Sequence, residues 1–145
     1  MSSVASAAAA LRGALQRYLD ARHASLTEAR LVLGVNDVDV RALLYIAAHP
    51  GTRPTSLREY LGITSAGVTA LIDRLAERGA VRREVDEDDR RVNRLTVTVD
   101  LFSEPWSALT RFDSGFEAAL AAVDRDEAAR LAATLDALTA AASSR

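Results

Sequence analysis

The sequence predicts a mostly α-helical fold of the α+β class: two helices joined by a tight turn, a two-stranded β-hairpin directly after them, and further helices at both ends of the chain. Three observations support this. The segment "RPTSLREYLGITSAGVTALIDRLAERGAV", residues 53–81, sets two helical patterns on either side of Gly62. Over residues 81–99 the apolar period shortens from three or four residues to two, the spacing of a strand with one buried face. Both chain ends carry apolar stripes at helical spacing. A chain of 145 residues, 49% of them apolar, can bury one real core.

Along the chain, Leu11, Leu15, Tyr18, Leu19, Arg22, Leu26 and Ala29 mark one face of a long first helix, which Gly34 should end. Asn36 is the expected N-cap of a second helix, with Asp37 and Asp39 in its first turn and Val40, Leu43, Leu44 and Ala47 facing inward. Thr55 is expected to cap a short helix bearing Leu57, Tyr60 and Leu61, and Thr64 a longer one that Gly79 closes. In the longer helix Val68, Leu71, Ile72 and Leu75 form the core stripe, leaving Ser65, Ala66, Thr69, Ala70 and Asp73 outside. Val81, Arg83 and Val85, then Leu95, Val97 and Val99, alternate with polar residues on either side of the tip "DEDDRR". Ser103 and Pro105 mark a further helix start, with Leu109, Phe112, Phe116, Leu120 and Val123 as its stripe. Asp124 with Glu127 resembles a capping box opening a last helix that carries Ala128, Leu131, Leu135 and Leu138. The expected division is residues 1–35 as an N-terminal helix, 36–100 as the central unit and 101–145 as C-terminal helices.

Composition narrows the function. The absence of cysteine excludes disulfides, thiolate nucleophiles and thiol redox sensing. The two imidazoles, His23 and His49, fall in different elements, so no metal or cofactor is expected. No glycine-rich phosphate loop, G-x-S-x-G or H-E-x-x-H occurs, and the acidic run lacks the spacing of a calcium loop, so the chain does not read as an enzyme. The N-terminus has no basic lead and no apolar run nears the ~20 residues needed to span a bilayer, so the expectation is a soluble, cytoplasmic protein. The net charge of −2 conceals an uneven distribution: residues 52–99 hold nine Arg against eight acids, residues 100–145 four against eight. Every basic residue is Arg, a side chain whose planar fork suits phosphate and base edges.

A helix-turn-helix followed by a charged hairpin is a winged helix, a unit that docks on duplex DNA. The second helix would present its N-terminal edge to the major groove, where Thr64, Ser65, Ala66, Gly67, Thr69 and Ala70 are small enough for close approach and can offer hydroxyls to bases and methyls to thymine. Thr55 and Arg74 are the expected phosphate contacts, with an ion pair from Arg74 to Asp73 or Glu77 as the alternative for Arg74. At the hairpin tip Arg91, then Arg90, would enter a narrow minor groove, with Asp89 holding Arg91 in one rotamer. Asp86, Glu87 and Asp88 read as solvent-facing turn residues, and His49 as a helix-end residue.

The stretch "LGITSAGVTALIDRLAERGAVRREVDEDDRRVNRLTVT" resembles the helix-turn-helix and wing of MarR-type transcriptional regulators. Asp89, Arg90 and Arg91 match that family's wing pattern of an acid, a variable residue and an arginine; "LIDRLAERGAV" matches the end of its recognition helix. The resemblance implies a homodimer, assembled through the first and last helices, that binds double-stranded DNA at a pseudo-palindromic operator, commonly as a repressor. The surplus of apolar stripes at both chain ends supports a self-association surface independently. It also implies a small aromatic effector as partner, for which Tyr18, His23, Tyr45 and Trp106 are the pocket residues to consider. Gly67 departs from the family in a helix where a side chain is commoner, and "VDLFSEPW" replaces the usual short join after the wing. The rival reading is a winged-helix protein-interaction module, or a ligand sensor, without DNA binding.

Overall fold

The computed structural model describes residues 2–90 and 92–144. Its chain divides into two compact units, Met1–Thr110 and Arg111–Arg145. In the first, α1 (Ser2–Leu33) gives way at Gly34, whose φ of +62° reverses the chain, and the Val35 N–H returns to the Arg30 carbonyl at 3.1 Å. This closes α1 with a left-handed glycine, as expected of a residue without a Cβ. The next helix, α2 (Asp37–Ala48), starts at Asn36, whose side-chain oxygen accepts from the Asp39 N–H at 2.8 Å.

One expectation fails at α3 (Pro54–Leu61): Arg53, not Thr55, occupies the N-cap position. Pro54 takes the first helical position, where its missing N–H costs nothing and its fixed φ suits the helix, so α3 begins earlier than a Thr55 cap would allow. The turn at Gly62, φ +66°, leads to Thr64, which caps α4 (Ser65–Glu77) by accepting the Gly67 N–H at 3.0 Å. Gly79, φ +68°, follows α4 as predicted. Strands β1 (Val81–Val85) and β2 (Asn93–Val97) pair antiparallel, with Val81 opposite Val97 and Val85 opposite Asn93. Thr52 adds a one-residue bridge on the far side of Leu95, where the Leu95 N–H donates to the Thr52 carbonyl at 2.9 Å and the Gly51 N–H to the Leu95 carbonyl at 3.0 Å, so Leu95 is held from both flanks.

The core of this unit combines Leu43, Ile46, Leu57, Leu71, Ile72, Leu75 and Leu95, all fully buried, with Leu109 closing it. Leu109 belongs to a 3-10 turn, Trp106–Leu109, and not to the continuous helix expected from Pro105 onward. The Thr110 hydroxyl donates to the Leu101 carbonyl at 2.7 Å, tying the chain back on itself before the next helix begins. In the second unit α5 (Arg111–Leu120) and α6 (Arg125–Ser143) are joined at Asp124, whose carboxylate accepts the N–H groups of Asp126 and Glu127 at 3.0 and 3.1 Å. Phe112 and Phe116 stack on α5, their ring centroids 6.3 Å apart. Neither helix buries a residue, and Phe116, Leu120, Leu131 and Leu138 are exposed, as are Leu11, Leu15 and Leu19 on α1. Among the described residues no helix is long and apolar enough to cross a membrane.

Candidate nucleic-acid interface

The expected groove-facing edge is open. Thr64, Ser65, Ala66, Thr69 and Ala70 are exposed and Gly67 half-buried, while Val68, Leu71, Ile72 and Leu75 seat the opposite face of α4 in the core. The edge is also locally ordered, since the Thr69 hydroxyl donates back to the Ser65 carbonyl at 3.0 Å. Gly67 acquires a reason in this geometry: a Cβ there would stand 3.1 Å from the Thr64 hydroxyl oxygen, the atom that caps the helix. The absent side chain lets Thr64 fold over the first turn, offsetting the propensity cost of about 1 kcal/mol that glycine carries inside a helix.

The described arginines between residues 53 and 94 sort into two groups. Five are engaged within the chain. Arg74 forms a two-pronged pair with Asp39, at 2.7 and 3.3 Å, neither of the partners expected from sequence, and those hydrogen bonds raise its pKa further above the ordinary guanidinium value. Arg78 donates to the carbonyls of Leu33 and Gly34 at 3.2 and 2.6 Å. Arg83 meets Asp73 at 2.6 Å, Arg82 pairs with Glu84, and Arg94 links Asp86 to the Gly51 carbonyl. Among the described residues Arg53, Arg58 and Arg90 make no such ion pair. Arg53 is a residue that sequence reasoning missed. It lines, with Pro54, Thr55, Val92 and Asn93, a cleft of about 280 Å³ between the start of α3 and the returning wing strand, and Pro54 was the available signal that its backbone lies at a helix start.

Asp86 is not the solvent-facing residue expected. Its side chain is only 10% exposed; it accepts the N–H groups of Asp88 and Asp89 at 2.9 and 3.3 Å and the Arg94 guanidinium at 2.5 Å. The Asp88 N–H first, then Arg94, hold its carboxyl below the usual range. The folded-state pKa thus lies below that of an unfolded aspartate, about 3.9, and the tip anchoring contributes fully above that value. It is lost as pH falls through the lower folded-state value. NMR titration should therefore show the Asp86 carboxyl carbon with a midpoint below that of an unfolded aspartate, about 3.9; a midpoint at or above that value would remove the Asp88 N–H and Arg94 as its anchors. Arg91 lies outside the described residues, and with it the expected Asp89–Arg91 contact; Arg90 is exposed beside it.

The four residues considered for an effector pocket sit in different surroundings. Tyr45 stacks between His49 and Tyr60, with centroids 4.3 and 4.2 Å away, and the His49 Nδ1–H donates to the Tyr45 carbonyl at 2.9 Å. Trp106 is partly buried against the core, Tyr18 is half-buried, and His23 is exposed on α1. A separate cleft of about 270 Å³ at the wing base is lined by Ile46, Ala47, Pro50, Val97, Val99 and Leu101, among others.

Residues 33–92 match the model of the MarR family. No curated protein matches the chain significantly. Among solved structures, a point variant of MepR from S. aureus bound to an oligodeoxyribonucleotide is similar over 92% of this chain and 96% of its own, at 19% identity and a TM-score of 0.55. MepR from S. aureus bound to ethidium bromide is similar over 92% and 94%, at 18% identity and a TM-score of 0.63. A MarR-like transcriptional regulator from Thermotoga maritima covers 95% of this chain and 98% of its own, at 22% identity and a TM-score of 0.62. With a capped α4, an exposed small-residue edge and a hairpin anchored beside it, residues 33–92 are similar to the MarR family and the chain shares the winged-helix fold of these solved structures.

Proposed function

We propose that the chain is a transcriptional regulator that binds a pseudo-palindromic DNA operator as a homodimer, and that it acts as a repressor. The observation that carries this reading is the exposed edge Thr64–Ala70 on a helix whose other face is locked in the core. Helices that enter the major groove need such an edge, and a helix N-terminus with unpaired N–H groups favours nearby phosphate. Thr64, Ser65, Ala66, Gly67, Thr69 and Ala70 face the bases; Thr55, joined by Arg53, meets phosphate; Arg90 and Arg91, supported by Asp89, reach the minor groove. The exposed leucines of α1 and the exposed apolar residues of α5 and α6 supply the self-association surface, residues 1–35 and 101–145 serving dimerisation. Release by a small aromatic ligand belongs to the same reading, supported by MepR's complex with ethidium.

Selection of bound duplexes from genomic fragments tests the proposal. A homodimeric regulator enriches one inverted repeat with half-sites about one helical turn apart; enrichment of nothing would favour a protein-interaction module. On the enriched repeat, Arg91→Ala should weaken binding by on the order of 1–3 kcal/mol. Wild-type affinity for that variant would take the wing out of the mechanism.

A further inference from the structure

The recognition helix and its C-cap carry two basic residues, Arg74 and Arg78, and both bond with their guanidiniums to the chain's own structure. They are four residues apart, and because the C-cap Arg78 keeps a near-helical backbone, both lie on one side of α4. Arg74 grips Asp39, a carboxylate only 3% exposed in the first turn of α2. Arg78 grips the last carbonyls at the C-terminal end of α1, where an intrahelical partner is lacking and the helix dipole favours a cation. One grip holds the Leu33 and Gly34 carbonyls, the other Asp39 just past the corner. The corner between them is itself braced, by Arg30 on Asp37 at 3.3 Å and by the Val35 N–H on the Arg30 carbonyl.

We infer that Arg74 and Arg78 are positioning residues, a paired clamp that fixes the recognition helix to the α1–α2 corner so that the placement of α1 dictates the placement of α4. This rests on the DNA-binding reading for its consequence, not for its geometry. If α1 belongs to the dimer surface, the clamp converts subunit placement into the spacing of the two groove-entering helices. Phosphate grip then comes from α3 and the wing, because α4 has no guanidinium to spare. The forked geometry is essential: a lysine at position 74 keeps the charge and cannot reproduce two parallel bonds.

The chain's lack of cysteine allows a direct test. With Glu28→Cys on α1 and Ala70→Cys on α4 carrying nitroxide labels, diluted with unlabelled chain, electron-spin distance measurement should give one narrow distribution. Arg78→Ala and Arg74→Lys should each broaden it, and the two together most. A distribution in the double variant that superimposes on the parent would overturn the clamp. Arg78→Ala removes only hydrogen bonds at an exposed position, so it remains informative should Arg74→Ala not fold. A second arm measures affinity for the enriched inverted repeat against salt. The clamp predicts roughly tenfold weaker binding in Arg78→Ala with the salt slope unchanged. A slope reduced by about 0.9 per arginine removed would make them phosphate ligands and defeat the inference. A wild-type chain that binds no duplex would refute the functional reading alone, since the distance arm decides the clamp without DNA.

Discussion

Ala66→Glu is expected to abolish operator binding while leaving the fold at least as stable as the parent. Ala66 is exposed in the first turn of α4, next to the Thr64 cap. A carboxylate there meets the positive end of the helix dipole, a favourable contact worth about 0.3–1 kcal/mol at a solvated site. On DNA the same carboxylate would be driven against phosphates and acceptor-rich base edges, where like charges cost several kcal/mol, or ~100-fold and more in affinity. Thermal unfolding and duplex titration, run side by side, should move in opposite directions. Undiminished binding would show that the N-terminal edge of α4 is not the surface that meets DNA.

The largest stability loss should come from Leu95→Ala. Leu95 is fully buried, pairs with Arg83 across the hairpin and bonds to Gly51 and Thr52 on its other flank. Truncating a buried leucine removes apolar transfer energy and leaves a cavity, together about 3 kcal/mol. For a chain of this size that corresponds to a fall in Tm of about 10 °C. The loss should be focused: amide hydrogen exchange should accelerate in residues 81–85 and 93–97 before it does in α2. A cost under about 1 kcal/mol would mean that the wing base collapses around the missing atoms.

Features encoded within a few neighbouring residues were legible in the sequence. Asn36, Thr64 and Asp124 cap the helices expected of them, and Gly34, Gly62 and Gly79 take the left-handed conformation at the expected stops. In each case a side chain or a missing Cβ acts on backbone groups within about one helical turn. The exposed edge of α4 followed from periodicity alone, because its four core residues leave the remaining positions nowhere else to face. Pairings across distance were not legible. Arg74 had acids nearby at positions 73 and 77, yet its partner is 35 residues away, because the packing of α4 on α2 buries Asp39 within reach of that guanidinium. Asp86 looked like one more acid in a row of four, and nothing in the row marks the one that would accept the backbone N–H groups of the turn. The stacking of Tyr45 with His49 and Tyr60, one of which lies on another helix, was likewise not legible.

The bridge between Thr52 and Leu95, reinforced by Arg94 on the Gly51 carbonyl, has a practical consequence for anyone building chimeras from this scaffold. The hairpin is not a detachable module bounded by residues 81 and 97. Transplanting it onto a related regulator would sever three hydrogen bonds to the loop before α3 and leave Arg94 with only one of its two anchors, Asp86. A graft that also imports residues 51–53 carries the hairpin's own docking platform with it, and should arrive with its tip already aimed.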